Sequence, residues 1–267
     1  MTSDILICSL NKGIVRIDDL LLPQRKDVRY IVSYQYTDER YLDLLPTSLA
    51  LREDVLVSAY KGQGLSSNRN HALLAKADLV MFADDDARLT DSAVDYIFKI
   101  FNESSNIDVA FFRASTYTGK LLKNYPEFEK NITSVPEDYT ISTIEMVCRR
   151  ERVQGRVRFD ERFGLGTRFL TCGEEEVWLI DALRARLSIR YFPYKVVETS
   201  TMLKRSMIYV DAGVQRSKGA LTYYKFGASA WIRCLWFAAD STRRGLCHFI
   251  PMLRHLYQGI LYLRHNG

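Results

Sequence analysis

Three consecutive acids, Asp84-Asp85-Asp86, close the apolar run Leu79-Val80-Met81-Phe82-Ala83. Carboxylates at the end of a strand-like run are costly to bury unless something cationic meets them. In open α/β sheets, ligands sit outside the carboxyl ends of the strands. A divalent cation carrying a phosphorylated ligand therefore accounts for both the acids and their location. Alternate residues of an extended segment point the same way, so Asp84 and Asp86 can face one ligand while Asp85 faces elsewhere. The plainer alternative is an acidic turn that caps a helix. Thr90 already offers a cap, and three acids are more than a turn needs.

A second segment, Lys61-Gly62-Gln63-Gly64-Leu65-Ser66-Ser67-Asn68-Arg69-Asn70, links an apolar run to a helix start. Its glycines allow close backbone approach, and the amino end of a helix favours an anion. Arg69 adds a positive fork for phosphate or a base edge. The segment lacks the GK[ST] ending of a Walker loop. The third segment is Gly173-Glu174-Glu175-Glu176. One of these glutamates could act as a general base toward a hydroxyl. The helix dipole alone also explains acids in a first turn, and for this segment in isolation that explanation suffices.

These side chains need elements to hold them. Apolar runs at 5–8, 30–34, 55–58, 79–83 and 108–112 read as strands. Helices are predicted over about 66–76 and after Thr90, where Val94, Ile97, Phe98 and Phe101 keep helical spacing. Such alternation implies an α/β fold with a mostly parallel central sheet flanked by helices. Residues 120–137 read as a long loop or flap, 141–148 as a returning strand, 174–187 as a helix and 189–192 as a late strand. From residue 203 the texture changes to helices rich in Tyr, Trp, Leu and Arg. In the last of them Leu246, Phe249, Ile250, Leu253, Leu256, Tyr257 and Ile260 are expected on one face, with Arg254, His255 and Gln258 away from it. The predicted organisation is a catalytic domain over 1–202 and a basic, aromatic helical extension over 203–267.

The chain has 267 residues, 47% of them hydrophobic, enough for a large core. Cys8, Cys148, Cys172, Cys234 and Cys247 form no CxxC pair and read as reduced thiols of a cytosolic protein. No secretory signal and no membrane-spanning run is recognised. Of the net charge of +5, residues 203–267 carry ten Lys/Arg against two Asp. Tyr223, Tyr224, Phe226, Trp231, Trp236 and Phe237 lie among those cations. Two readings stay open for them: the interface of an anionic membrane, or packing onto the catalytic domain or into a homodimer. Nucleic acid is disfavoured, because no recognition motif accompanies the basic stretch. The four histidines carry no zinc spacing.

Taken together the segments resemble the family 2 glycosyltransferases of the GT-A fold. The resemblance runs through Gly64…Asn68-Arg69-Asn70, Ala83-Asp84-Asp85-Asp86, Phe159-Asp160-Glu161-Arg162-Phe163-Gly164 and Gly173-Glu174-Glu175, over roughly residues 4–200. It implies a nucleotide-diphosphate sugar donor, a divalent cation (manganese or magnesium) and inversion at the anomeric carbon. Asp86 is then the metal ligand, and Asp84 approaches the metal or the ribose. Glu175 falls where the family has its base, with Glu174 or Glu176 as alternatives. Ser9 comes to lie by the base or ribose, and Asp38 or Glu39 serves as the acidic reader. The implied donor-binding set is Ser9, Asp38, Arg69, Asp84 and Asp85. The implied acceptor is a hydroxyl of a glycan or lipid-linked molecule in surface polysaccharide biosynthesis. The implied location is cytoplasmic, peripheral on the inner face of the membrane. Two rivals remain. A nucleotidyltransferase would carry a fuller glycine-rich, basic signature than Asn11-Lys12-Gly13. A non-catalytic interaction protein would have no need of Asp84, Asp86 and Glu175.

Overall fold

The computed structural model describes residues 1–71, 74–136, 139–200 and 205–266, which fall into two compact units. The first comprises Met1–Gln63, Ser67–Arg158 and Asp181–Leu203, and the second Gly64–Ser66, Phe159–Ile180 and Lys204–Gly267.

The first unit is built on a sheet. Its elements in chain order are β1 (Ser3–Leu10), β2 (Val28–Tyr36), α1 (Thr47–Leu51), β3 (Val55–Lys61), α2 (Leu65–His71), β4 (Leu79–Asp84), β5 (Ala87–Leu89), α3 (Asp91–Glu103), β6 (Val109–Thr116), β7 (Lys130–Asn131), β8 (Met146–Arg149), α4 (Arg150–Val153) and β9 (Ile189–Thr199). The strand order is β3-β2-β1-β4-β8-β6-β9-β5, with β7 also on β9. β1 to β4 are mutually parallel, and β6 and β9 share their direction. β5, β7 and β8 run against them. Strands β1, β2 and β4 are buried on both faces, as expected of a sheet with helices on either side.

One connection dictates the shape of this sheet. β4 and β5 are four steps apart in the ladder, about 19 Å if the sheet were flat. Only Asp85 and Asp86 join them, a link that reaches about 11 Å at most. The sheet therefore curls, and the register shifts between β6 and β9 around Arg113 mark part of the bend. The Asp triplet bridges that curl.

Several predicted elements differ in extent. The helix expected to reach residue 76 is described as α2 only over Leu65–His71, and residues 74–76 are not helical; residues 72 and 73 lie outside the described residues. The backbone N–H groups of Lys76 and Ala77 instead donate to the buried Asp4 carboxylate, at 2.6 and 2.9 Å. The strand expected over 141–148 is a strand only from Met146, because Thr143–Glu145 form a 3-10 turn. Glu145 is fully buried there and pairs with Lys123 at 2.9 Å. That pair, with Tyr125 donating to Glu145, pins the predicted flap to the sheet. In α3, Thr90 accepts from the Ala93 N–H, and Val94, Ile97 and Phe101 are buried at the predicted spacing.

The second unit holds the start of α5 (Glu174–Arg184) and the helices α6 (Ala212–Phe226), α7 (Ala230–Arg243) and α8 (Phe249–His265). Asp211 caps α6 through the Val214 N–H at 2.8 Å. α6 and α8 touch through glycines. A Cβ on Gly219 would lie 1.9 Å from the Leu256 carbonyl oxygen, and one on Gly259 would lie 1.9 Å from that of Arg216. This contact turns α8 from its predicted orientation. Its buried residues are Met252, Leu256, Gly259, Ile260 and Leu263, whereas Ile250 is 76% exposed and Leu246 precedes the helix. His255, expected away from the core face, meets Gln215 of α6 at 2.6 Å.

Candidate functional site

Register brings the first group of polar residues together. β1 runs beside β4 with Cys8 opposite Asp84, so Ser9 emerges next to the start of the Asp triplet. α2 lies over this edge. Asn68 donates to the Ser9 carbonyl at 3.1 Å, and the buried Arg69 places a guanidinium nitrogen 3.6 Å from Asp84. Asp84 keeps a side-chain exposure of 40%, compared with 3% for Arg69. Burial pushes the Cys8 thiol up to about 12, so it is a packing group and no nucleophile.

The three acids take three different partners. Asp85 accepts from Ser9 Oγ at 3.2 Å and from Arg16 at 2.6 Å. Its carboxylate lies against Gly13, where an added Cβ would fall 1.7 Å from Oδ2. Burial pushes the Asp85 carboxyl up, opposed by Arg16 and the Ser9 hydroxyl. Asp86 accepts from Ser200 Oγ, and its backbone carbonyl from Tyr117 OH at 2.7 Å. The middle acid thus locks the 3-10 segment Asn11–Leu20 to the end of β4, and the outer two have other neighbours.

Further polar groups line the same sheet edge. Asn11, at φ +51°, bonds to Thr37 through both ends of its amide. Gln35 donates to Tyr60 OH at 2.8 Å. Burial raises the Tyr60 phenol, with Gln35, Ser67 and Ser33 hydroxyl and amide contacts opposing it. Asp38 is engaged locally. Its oxygens take the Arg40 guanidinium and backbone N–H, which hold its carboxyl down at about 2, and it caps the turn Glu39–Leu44.

In the second unit, the loop before α5 turns on Gly164 and Gly173, at φ +111° and +98°. Ser66 Oγ donates to the Phe163 carbonyl at 2.6 Å, and Leu65 N–H to that of Leu165 at 2.9 Å. Glu174 is buried against this loop, and a Cβ on Gly164 would come within 3.3 Å of its carboxylate. Glu175 and Glu176 are half-buried on the next positions of the first turn. The stretch from Phe159 to Gly164 is structural in its contacts. Phe159 stacks on Trp178, Phe163 is fully buried, and Asp160 is held by Arg162 at 2.6 Å.

Of the predicted residues, the fold gathers Ser9, Arg69, Asp84 and Asp85 at one sheet edge. It directs Asp86 to Ser200 and Asp38 to Arg40, and puts Glu174 and Glu175 on the α5 first turn. Arg16, Tyr60 and Ser200 were missed, because none sits in a motif, and only the curl and the strand register bring Arg16 and Ser200 to the acids.

Among the described residues, no three His, Cys, Asp or Glu side chains converge as a ready-made metal cage. A hard cation here would take one or two carboxylates and complete its shell with ligand oxygens and water, as magnesium commonly does. Of the triplet, Asp85 is committed to Arg16 at 2.6 Å, Asp84 stands 3.6 Å from Arg69, and Asp86 meets the Ser200 hydroxyl. All five cysteines are unpaired, and among the described residues no helix is long and apolar enough to cross a membrane.

The chain is similar in fold to solved structures of S. aureus TarS. The structure of TarS residues 1–349 superposes with a TM-score of 0.60 at 12% identity, over 100% of this chain and 92% of that one. The same fragment in complex with UDP-GlcNAc gives 0.58 at 13% identity, over 91% and 73%. A longer TarS chain gives 0.55 at 13% identity, over 91% of this chain but only 44% of its own length. No family model and no curated protein sequence matches the chain. At such identities the likeness is one of fold alone: a curled α/β sheet flanked by helices.

Proposed function

We propose that the chain is a glycosyltransferase that moves a sugar from a nucleotide-diphosphate donor to a hydroxyl of a glycan or lipid-linked acceptor, in surface polysaccharide or glycolipid synthesis. The observation that carries this reading is the grouping of Ser9, Arg69 and Asp84 at the carboxyl edge of β1 and β4. It is supported by a fold shared with TarS, which has been solved with UDP-GlcNAc.

In this reading Arg69 and Ser9 orient the donor at the sheet edge, and Asp85 holds the Arg16 segment in place beside it. A divalent cation on Asp86 and Asp84 would supply charge neutralisation for the leaving diphosphate. Glu175 accepts the acceptor's hydroxyl proton as that oxygen bonds to the anomeric carbon and the carbon–diphosphate bond breaks. One displacement with one base inverts the centre, whereas a retaining covalent route would need a carboxylate nucleophile as well. Glu174 is the weaker candidate for the base, because it is packed against Gly164.

The test is a thermal-shift panel of nucleoside diphosphates and nucleotide sugars, each with and without manganese, followed by assay of nucleoside diphosphate release. A rise selective for one nucleotide, larger with manganese, is expected. Stabilisation by nucleoside triphosphate plus sugar phosphate, with pyrophosphate release, would replace this reading with nucleotidyl transfer. No stabilisation by any nucleotide would end it.

A further inference from the structure

Where α6, α7 and α8 meet, the second unit leaves an open recess of about 170 Å³. Its cause is the size of the side chains there. α7 packs through Ala230, Cys234 and Ala238 into one buried cluster with Met252, Leu256 and Ile260 of α8. Cys234, and Thr222 on α6, are too small to fill the space beside them, which the Phe226 and Phe237 rings also line. The buried Cys234 and Leu256 make its inner wall apolar.

Two cations, Lys218 and Arg233, share this recess, and no acid lines it. Among the described residues neither cation is paired with a carboxylate. Each sits on one of the rings instead. Lys218 Nζ lies 6.0 Å over Phe237, and the Arg233 guanidinium carbon lies 4.0 Å over Phe226. A ring face holds a cation in place without cancelling its charge. A guanidinium on a ring face also keeps its in-plane N–H donors. Of these, only Nε has a partner among the described residues, Ser229 Oγ at 3.4 Å. Thr222 donates its hydroxyl proton to the Lys218 carbonyl at 2.7 Å. The recess thus offers positive charge and apolar faces, and its charged groups carry no acceptor. A neutral sugar, whose hydroxyl protons need acceptors, would be poorly held.

We infer that this recess binds a small organic phosphate. The phosphate oxygens take the Lys218 ammonium and the open edge of the Arg233 fork, and a compact apolar body lies against Phe226, Phe237 and Leu256. Charge and volume select this class. A phosphate monoester carries about −1.5 to −2 charges at neutral pH, which matches two cations. A carboxylate would leave one of them unmatched. A cavity of about 150 Å³ holds benzene, so this recess has room for one six-membered ring with its phosphate at the mouth. The inference stands apart from glycosyl transfer, because none of these residues belongs to the acid triplet or to the first turn of α5.

The experiment is a calorimetric titration of the full chain with phenyl phosphate, inorganic phosphate, benzoate and phenol at one ionic strength. Phenyl phosphate should bind at least about tenfold more tightly than inorganic phosphate or benzoate, and phenol should not bind. Lys218→Ala and Arg233→Ala should each weaken phenyl phosphate binding at least about tenfold. Arg233→Lys should recover only part of that loss, because it restores the charge without the fork. Lys218 and Arg233 are exposed, so each variant should melt with the parent chain. Arg243→Ala, outside the recess, should bind as the parent chain does. No binding of phenyl phosphate at millimolar concentration, equal binding of inorganic phosphate or benzoate, or undiminished binding by either Ala variant at Lys218 or Arg233 would each overturn the inference. Displacement of phenyl phosphate by phosphatidylglycerol vesicles would also overturn it, by placing the phosphate on a lipid.

Discussion

At the scale of single residues, the acids of the triplet differ in what holds them, and their replacements should differ accordingly. Asp86 accepts from the Ser200 hydroxyl, so Asp86→Ala should lower the unliganded stability by about 0.5–1.5 kcal/mol, the usual worth of a hydrogen bond. It should also remove the manganese-dependent part of any nucleotide-induced shift. Glu175→Gln should keep the nucleotide shift and lower transfer by about 10²–10⁴-fold, the usual contribution of a general base. Transfer that survives in Glu175→Gln would move the base to Glu174 or Glu176. Gly13→Ala addresses the middle acid. The new Cβ collides with the Asp85 carboxylate, so the Arg16 segment must shift. A destabilisation of about 1–3 kcal/mol is expected, together with weaker nucleotide binding. Calorimetry and titration on the same sample would separate the two effects. Asp84, Asp86 and Arg69 were legible in the sequence, because acids after an apolar run and an arginine at a helix start are local patterns. Arg16 and Ser200 were not, because nothing in their neighbourhoods marks them.

At the scale of elements, the strands and helices with a strong period were readable. α3 shows the predicted cap and buries three of the four predicted apolar positions, with Phe98 half-buried, and β1, β2 and β4 are the continuous apolar runs of a covered sheet. The departures have tertiary causes. The predicted helix stops before residue 76 where Asp4 takes the amides of Lys76 and Ala77, and α8 is rotated because Gly219 and Gly259 admit a neighbouring backbone. Hydrophobic periodicity could not reveal that rotation, since glycine carries no hydrophobic signal. Gly219→Ala or Gly259→Ala should therefore force α6 and α8 apart, at a cost of about 1–3 kcal/mol or more each. Combined, they should cost less than the sum, because they relieve one shared contact. Denaturant melts of the two single variants and the double variant test this, and strict additivity would show that the contact is not shared.

For the whole molecule, strong acid should loosen the joint between β1, β2 and β4. Asp4 is buried at the start of β1 and accepts from Arg29 of β2 and from the turn before β4. Burial disfavours its charge, but the Arg29 guanidinium and the amides of Ala77 and Lys76 prevail and hold its carboxyl below the usual range. A lowered folded pKa means that its contribution is complete above about pH 4 and is lost as the pH falls through the folded value. Asp4→Asn should cost about 2–3 kcal/mol at neutral pH. Its melting curve should converge with that of the parent chain toward pH 2. A constant gap across that range would assign the loss to packing instead of charge. The sequence by itself determined which chemistry-bearing residues exist, their order, and the type of element that carries them, because periodicity and composition are written along the chain. The tertiary structure decided which partner each acid takes: Arg16, 69 positions from Asp85, and Ser200, 114 positions from Asp86. Those pairings depend on distance through space, and the curl of the sheet sets that distance, not separation along the chain.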